Sequence, residues 1–258
     1  MGDTALITGA SAGLGAHFAQ ALAAEGHDLI LTARREDRLN ALAERLRAAH
    51  GVAVQVHATD LAAPGAVAGL MRAIEQAGQG VNLLVNNAGF GARGDFAELD
   101  GAVQARMIDL NCRAVVELAH AVLPGMLQMR RGWILNIAST AAFQAGPQMA
   151  VYYASKAFVL SFSEALHEEV RGRGVHVTAL CPGPVETEFF EANAMPDVAF
   201  RRFASGPAPV IRDGLRALRA NRAVKVSGAA NATLAFLTRL APRIVSRRAA
   251  AAIQRKRG

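Results

Sequence analysis

The chain has 258 residues, 52% of them hydrophobic and 19% charged, which excludes an intrinsically disordered protein and suits a single globular domain over residues 1–258. The formal net charge is +7, yet residues 201–258 hold 14 Lys and Arg against one acidic residue, Asp213, so the positive charge is concentrated toward the C-terminus. The chain has only two cysteines, which excludes a disulfide framework, and neither lies at metal-ligand spacing, so no metal site is predicted. The first residues lack a secretory signal, and we therefore expect a cytoplasmic protein.

Short apolar segments alternate with longer amphipathic segments from the start of the chain to about residue 180. Strands are predicted at Ala5–Thr8, Leu29–Thr32, Ala53–Val56, Asn82–Val85, Trp133–Ile137 and Val175–Leu180. Helices are predicted at Gly13–Ala24, Glu36–Ala49, about Gly65–Ala77, a long segment ending near Gln128, and Val151–Val170. Strands without polar alternation are buried on both faces, so the order predicts an α/β fold: a single-domain, Rossmann-like, doubly wound parallel sheet with helices on both faces.

A glycine-rich loop follows the first predicted strand and leads into the first helix. It consists of Thr8-Gly9-Ala10-Ser11-Ala12-Gly13-Leu14-Gly15. Gly9 permits a tight turn, Gly13 lets the backbone approach a pyrophosphate, and Gly15 lets the helix pack closely on the strand. The spacing departs from the usual dinucleotide fingerprint, but the position between a strand and a helix predicts a dinucleotide-binding loop.

The end of the second predicted strand indicates which dinucleotide is bound. An acidic residue at this point would accept from the ribose 2′-hydroxyl, whereas an arginine binds a 2′-phosphate. The chain has Arg34 and Arg35 there and no acidic residue before Glu36. We therefore expect NADP(H), with Arg34 as the main candidate for the phosphate contact and Arg35, equally compatible with a solvated surface arginine, as the second.

A tyrosine and a lysine four residues apart suggest catalysis. The chain has only two tyrosines and three lysines, and Lys156 follows Tyr152 at the i+4 position, which shares a helix face. An ammonium beside the phenol favours the phenolate, and a phenol needs such help to exchange protons near neutral pH. Ser139, just after the strand Trp133–Ile137, is placed to bond the same carbonyl oxygen.

Taken together, these motifs make the sequence resemble the short-chain dehydrogenase/reductase (SDR) superfamily, and in particular its NADP-preferring members. The motifs that carry the resemblance run in order from residue 4 to residue 187. They are the glycine loop, Asp60-Leu61, Asn86-Asn87-Ala88-Gly89, Asn111, Ser139, Tyr152-x-x-x-Lys156, and Pro182-Gly183 with Thr187.

The resemblance implies a role for each matched residue. Tyr152 would be the general acid in carbonyl reduction, Lys156 would tune it and bind the nicotinamide ribose, Ser139 would orient the carbonyl, and Asn111 would hold a water that relays protons. The cofactor-binding residues implied are Gly9, Ser11, Gly13, Leu14, Gly15, Arg34, Arg35, Asp60, Leu61, Asn87, Ala88, Gly89, Tyr152, Lys156, Pro182, Gly183, Val185 and Thr187. For Asn111 the alternative is a helix-interior amide bonded to backbone.

Residues 186–209 contain four phenylalanines, three prolines and one methionine and are predicted to form a substrate lid for an apolar or acyl-like carbonyl compound. Beyond it, residues 229–258 form a basic C-terminal tail in which Leu234, Leu237, Leu240 and Ile244 follow helical spacing. Two interpretations stay open for this tail. The helix docks on its own body or on a partner subunit, which we favour, or it lies on a membrane surface as a basic amphipathic helix.

We therefore expect an NADP(H)-dependent oxidoreductase that interconverts a ketone or aldehyde and an alcohol by hydride transfer. A more specific enzymatic alternative is a 3-oxoacyl-thioester reductase. The alternative of another class is a non-catalytic NADP(H)-binding sensor or scaffold, which would have no need to keep Ser139, Tyr152 and Lys156 together. The tail lacks the motifs of a nucleic-acid-binding protein, and the resemblance implies a homodimer or homotetramer.

Overall fold

The computed structural model describes residues 3–186 and 204–254 and contains one seven-stranded parallel sheet in the order β3-β2-β1-β4-β5-β6-β7. The strands are β1 (Thr4–Thr8), β2 (Asp28–Ala33), β3 (Val54–Ala58), β4 (Leu83–Asn86), β5 (Gly132–Ile137), β6 (Val175–Cys181) and β7 (Val224–Val226). The six predicted strands are present, each within two residues of its expected bounds. The seventh, at the sheet edge beside β6, was not predicted.

Nine α-helices connect or follow the strands within the described ranges. They are α1 (Gly13–Ala24), α2 (Glu36–His50), α3 (Ala66–Gln76), α4 (Gly101–Ile108), α5 (Ala114–Gln128), α6 (Ala150–Val170), α7 (Pro207–Arg219), α8 (Ala229–Leu240) and α9 (Arg243–Gln254). A π-helical turn, Asp109–Arg113, joins α4 to α5, and a 3₁₀ turn, Thr140–Phe143, follows β5.

Two apolar cores, one on each face of the sheet, hold these layers together. On one face, Phe18 of α1 and Leu215 of α7 pack with Leu31 of β2 in a cluster that also includes α2. On the other face, Leu70 of α3 and Leu118 of α5 pack with strand residues and with the end of α6. The predicted doubly wound arrangement, with helices on both faces, is confirmed.

The strand order reverses between β1 and β4, which are neighbours in the sheet although two strands, β2 and β3, lie between them in the chain. In open parallel sheets, the loops at the carboxyl ends of the strands part at such a reversal and leave a crevice. The segments that follow β1, β4, β5 and β6 all open toward this edge. They carry most of the predicted site residues.

The C-terminal third differs from the sequence-based expectation at the end of the predicted lid, residues 186–209. Helix α7 begins at Pro207, with proline in its first turn, so residues 207–209 of the predicted lid belong to a helix. Residues 187–203, which make up most of the predicted lid, lie outside the described part of the chain. Within residues 3–186 and 204–254, no helix combines the length and apolar character needed to cross a bilayer.

Candidate active site

The glycine loop forms the first wall of the crevice, between β1 and α1. Gly9 has φ +66° and Gly13 φ +55°, values that glycine adopts at little cost. A Cβ added to Gly15 would lie 2.3 Å from the carbonyl oxygen of Gly9. The tight turn and the close helix–strand approach that the sequence predicts are both present.

The N-terminus of α1 is open to an anion. Its N-cap residue, Ala12, makes no side-chain cap, and no acidic residue stands in the first turn. The first N–H groups of a helix have no partner inside the helix, and together with the helix dipole they attract negative charge. This end of α1 can therefore hold a phosphate group.

Asn87 fixes the loop after β4 to the end of β1. Its Nδ2 donates to the carbonyl oxygen of Thr8 at 2.9 Å, and its backbone N–H donates to Thr8 Oγ1 at 3.0 Å. The backbone N–H of Ala88 donates to the same hydroxyl at 2.9 Å. Thr8 and Asn87 thus set the spacing of the two strand ends on either side of the reversal.

Three arginines lie on the other side of the glycine loop, at the start of α2. Arg34 is exposed, whereas Arg35 directs its Nε to Ser11 Oγ at 3.3 Å and so contacts the glycine loop directly. Arg38, which the sequence analysis did not single out, lines a cavity of about 230 Å³ together with Ser11 and Arg45. The positive charge beside the loop is therefore a cluster, and Arg35 is the member tied to the loop in this structure.

Asp60 and Leu61 follow β3 at the outer end of the crevice. Asp60 Oδ1 accepts from the backbone N–H of Ala62 at 3.2 Å, and Oδ2 accepts from Arg106 of α4 at 2.8 Å. Leu61 is buried. Arg106 is 46 residues away in sequence, so no local motif could have predicted that it holds this carboxylate in place.

Ser139 and Tyr152 meet at the inner end of the crevice. Ser139 caps the 3₁₀ turn, where its Oγ accepts from the backbone N–H of Ala141 at 3.1 Å. Burial raises the pKa of Tyr152 to about 12, while a hydrogen bond with the Ser139 side chain acts in the opposite direction. The phenol is therefore protonated across the neutral range and is positioned beside a second hydroxyl.

Lys156 lies behind Tyr152 on the same face of α6, with its Nζ 6.0 Å from the centroid of the phenol ring. It is only 6% exposed, and its Nζ donates to the carbonyl oxygen of Ile137 at 2.8 Å. Burial lowers the pKa of Lys156 to about 8, so it keeps its charge at neutral pH. The i+4 spacing predicted that Lys156 lowers the pKa of the phenol. In this structure burial raises that pKa, and the opposing effect comes from the hydrogen bond with Ser139.

Asn111 sits in the π-helical turn and is fully hydrogen-bonded. Its Nδ2 donates to Phe90 O at 2.9 Å and to Ser155 Oγ at 3.0 Å, and its Oδ1 accepts from the Phe90 N–H at 3.1 Å. Ser155 in turn donates to the carbonyl oxygen of Tyr152 at 2.7 Å. Both amide hydrogens are used, so the side chain ties the loop around Gly89 and Phe90 to α6.

Pro182 and Gly183, directly after β6, close the crevice on the side of Ser139. The Pro182 carbonyl oxygen accepts from the Thr140 N–H at 2.9 Å, and a Cβ on Gly183 would meet Asn231 Nδ2 of α8 at 2.5 Å. Val185 is buried and forms an isolated bridge with Ser205. Thr187, also a predicted cofactor contact, lies outside the described residues.

A buried polar chain behind the site was not predicted. Asn86 Nδ2 donates to Asn136 Oδ1 at 2.9 Å, and Asn136 Nδ2 donates to Ser163 Oγ at 2.8 Å. The chain links β4, β5 and α6 across the core. Asn136 interrupts an otherwise apolar strand, Gly132–Ile137, and that interruption was the signal for it.

The family model described as short chain dehydrogenase matches residues 3–196. Sulfoacetaldehyde reductase 2 of Chromohalobacter salexigens is 41% identical over 191 residues, which cover 73% of this chain and 75% of that protein. A short-chain dehydrogenase from Sphingobium yanoikuyae in complex with NADPH has a TM-score of 0.83 at 34% identity, covering 92% of this chain and 94% of that one. One from Burkholderia phymatum in complex with NAD has a TM-score of 0.82 at 30% identity, covering 92% of each chain.

The chain therefore belongs to the short-chain dehydrogenase family, as the motifs predicted. Its fold, its relatives and its matched structures define an oxidoreductase that acts on CH–OH and C=O groups of small molecules with a nicotinamide cofactor. Structures of the family contain both NADPH and NAD. The choice between these two cofactors depends on this chain's own residues.

Proposed function

We propose that the protein is an NADP(H)-dependent carbonyl reductase in which Tyr152 is the general acid. The observation that carries the proposal is the pairing of Tyr152 with Ser139, backed by the buried Lys156. A pKa of about 12 keeps the phenol protonated at neutral pH, which is the form that reduction of a carbonyl requires. A cofactor-binding module without catalysis would have no use for this arrangement.

The cofactor fits the crevice on two structural grounds. The α1 N-terminus lacks a side-chain cap, and the Gly15 position leaves no room for a side chain between helix and loop. Gly9, Gly13 and the α1 N–H groups would hold the pyrophosphate, with Asp60 and Leu61 at the adenine end. When bound, NADPH supplies the hydride that reduces the carbonyl carbon.

The arginines beside the glycine loop support NADP(H) over NAD(H). A 2′-phosphate adds charge that guanidinium groups bind by charge-assisted hydrogen bonds. Arg35 is the main candidate in the structure because its Nε already contacts Ser11, while Arg34 and Arg38 supply further positive charge. We therefore assign Arg35 the larger share of the phosphate contact, which reverses the order that we expected from the sequence.

Four residues of the chain have different roles in proton transfer to the substrate. Ser139 Oγ accepts from Ala141 and its hydroxyl is hydrogen-bonded to Tyr152, so the same hydroxyl can turn its hydrogen to the substrate carbonyl oxygen when substrate binds. Tyr152 donates its proton to that oxygen as negative charge develops there. The Lys156 ammonium, held by Ile137 O, stabilises the phenolate that remains. Asn111 acts as a positioning residue by bonding Phe90 and Ser155.

The proposed substrate is a small-molecule carbonyl compound that is apolar or acyl-like. A broad panel of candidate substrates is needed to test this. It should contain aliphatic and steroid-like ketones, an acetoacetyl thioester for the 3-oxoacyl alternative, and sulfoacetaldehyde, the substrate in the name of one relative. The assay follows NADPH oxidation by absorbance, with NADH in parallel.

We expect turnover of at least one compound, with kcat/KM at least about tenfold higher for NADPH than for NADH, the size of one charge-assisted contact. Light scattering on the same samples tests the predicted homodimer or homotetramer. NADPH binding without turnover of any carbonyl would favour the sensor alternative. Equal use of both cofactors would refute the role given to the arginines.

A further inference from the structure

The C-terminal helices α8 and α9 present an unusual amount of apolar side chain to solvent. Six of the eleven exposed large apolar residues in the described part of the chain lie here, each between 47% and 68% exposed. They are Leu234, Phe236, Leu237, Leu240, Ile244 and Val245. We call these six residues the C-terminal apolar patch. Contiguous exposed apolar surface of this kind is uncommon on a protein without a partner at that place.

Four of the six residues of the patch occupy one face of α8, and the other two lie on α9. At 100° per residue, Leu234, Phe236, Leu237 and Leu240 fall within an arc of about 160°. Ala235, which is buried, points in the opposite direction and rests on the body of the protein. The large apolar residues predicted to dock the tail are therefore turned away from the described body, and α8 is anchored through its small residues.

Positive charge adjoins the patch. Arg243, Arg247 and Arg248 of α9 are exposed on the same helix as Ile244 and Val245. The sequence adds Arg255, Lys256 and Arg257 and has no acidic residue after Asp213. The two helices thus combine Leu, Phe, Ile and Val side chains with arginines, and neither helix contains an acidic residue.

From this combination we infer that the C-terminal apolar patch and its arginines bind the surface of an anionic lipid bilayer. Apolar side chains on one face with flanking arginines match the acyl and headgroup layers of such a bilayer. Pairing of two copies through the same patch brings the two sets of arginines together, which their repulsion opposes. Each helix has 12 residues, about 18 Å, too short to span a hydrocarbon layer of about 30 Å, so the helices lie along the surface.

The bound membrane would lie close to the catalytic crevice. Asn231 of α8 is packed against Gly183, and α8 contacts the 3₁₀ turn Thr140–Phe143 that follows Ser139. If the proposed function holds, an apolar carbonyl compound dissolved in the bilayer reaches the crevice over a short path. Membrane binding itself does not depend on that function, and the two are tested separately.

The test is co-sedimentation of the full-length protein with vesicles of phosphatidylcholine alone and of phosphatidylcholine mixed equally with phosphatidylserine. We expect binding to the anionic vesicles only, and release as NaCl rises from about 0.1 M to about 1 M, which shortens the Debye length from about 10 Å to about 3 Å. Arg247→Gln/Arg248→Gln should weaken binding at least about tenfold, since each basic residue contributes about fivefold. Phe236→Ser/Leu240→Ser should weaken it by at least about as much.

Met129→Ser is the matched control, because Met129 is 72% exposed but lies at the end of α5, outside the patch; it should bind as the wild type does. Circular dichroism and NADPH binding check that each variant is folded. Absence of sedimentation with anionic vesicles overturns the inference, as does equal binding to both vesicle types. If light scattering shows that Phe236→Ser/Leu240→Ser dissociates an oligomer while wild-type vesicle binding is absent, the patch joins copies of the chain instead.

Discussion

Replacing Lys156 by methionine tests whether burial of the Lys156 ammonium destabilises the fold, and the test needs no substrate. The Lys156 pKa of about 8, against an ordinary value of 10.5, means that keeping this ammonium charged inside the fold costs about 3 kcal/mol. Methionine fills a similar volume without a charge to desolvate. It also removes the bond to Ile137 O, which offsets part of the gain by about 1.5–3 kcal/mol.

The pH dependence separates these two effects. The unfolded chain holds the Lys156 proton more tightly than the folded chain, so wild-type stability rises with pH between about 8 and 10.5, and the full cost is present below about pH 8. From about pH 7 to about pH 9 the wild type should gain about 1 kcal/mol of unfolding free energy relative to Lys156→Met. Titrations of groups away from Lys156 are shared by the two proteins and cancel. Cys112 is the exception, because Lys156 lowers the pKa of its thiol, so both proteins carry Cys112→Ser in this comparison.

Urea unfolding at the two pH values, analysed by linear extrapolation, measures this difference. Tyr152→Phe is the control, because a phenol with a pKa of about 12 titrates above this range, and its difference from wild type should not change. A constant difference between wild type and Lys156→Met would show that burial does not depress the lysine pKa. The inference that Lys156 is a buried, destabilising ammonium would then be wrong.

Three further substitutions test other parts of the crevice. Ser139→Ala should lower kcat by about 10²–10⁴-fold with NADPH binding retained, because the hydroxyl that bonds the phenol is lost; steady-state kinetics and cofactor fluorescence check the two effects. Arg35→Ala should weaken NADPH binding by about tenfold or more and leave NADH binding unchanged, measured by cofactor fluorescence. Gly15→Ala should destabilise the fold by about 1–3 kcal/mol and abolish cofactor binding, because the added methyl meets rigid backbone; unchanged thermal unfolding would contradict this.

The sequence located β1 to β6 well because a strand buried on both faces is an uninterrupted apolar run. Ala5–Ile7 within β1 and Leu29–Leu31 within β2 are examples. The edge strand Val224–Val226 has only three residues, all partly exposed, and so lacks that signal. The π-helical turn around Asn111 was missed for a related reason, since its residues continue the helical pattern of α4 and α5.

The site was predictable where one helix or one loop sets the geometry. Tyr152 and Lys156 share a face of α6 by spacing alone, and the glycine loop follows directly from its place between β1 and α1. The sequence could not show the effects of burial or of contacts between segments that are distant in the chain. Burial governs the pKa of both Tyr152 and Lys156, and the contacts of Arg35 with Ser11 and of Arg106 with Asp60 join distant segments.

Replacement of each of the two adjacent tyrosines by phenylalanine tests the catalytic role of Tyr152 most directly. Tyr153 is buried against Gly146, so Tyr153→Phe keeps the ring and serves as the matched control. With a carbonyl compound that the wild type turns over, Tyr152→Phe should lose at least about 100-fold in kcat while NADPH binding is retained, and Tyr153→Phe should keep most of the activity. Wild-type turnover by Tyr152→Phe would contradict the assignment of Tyr152 as the proton donor.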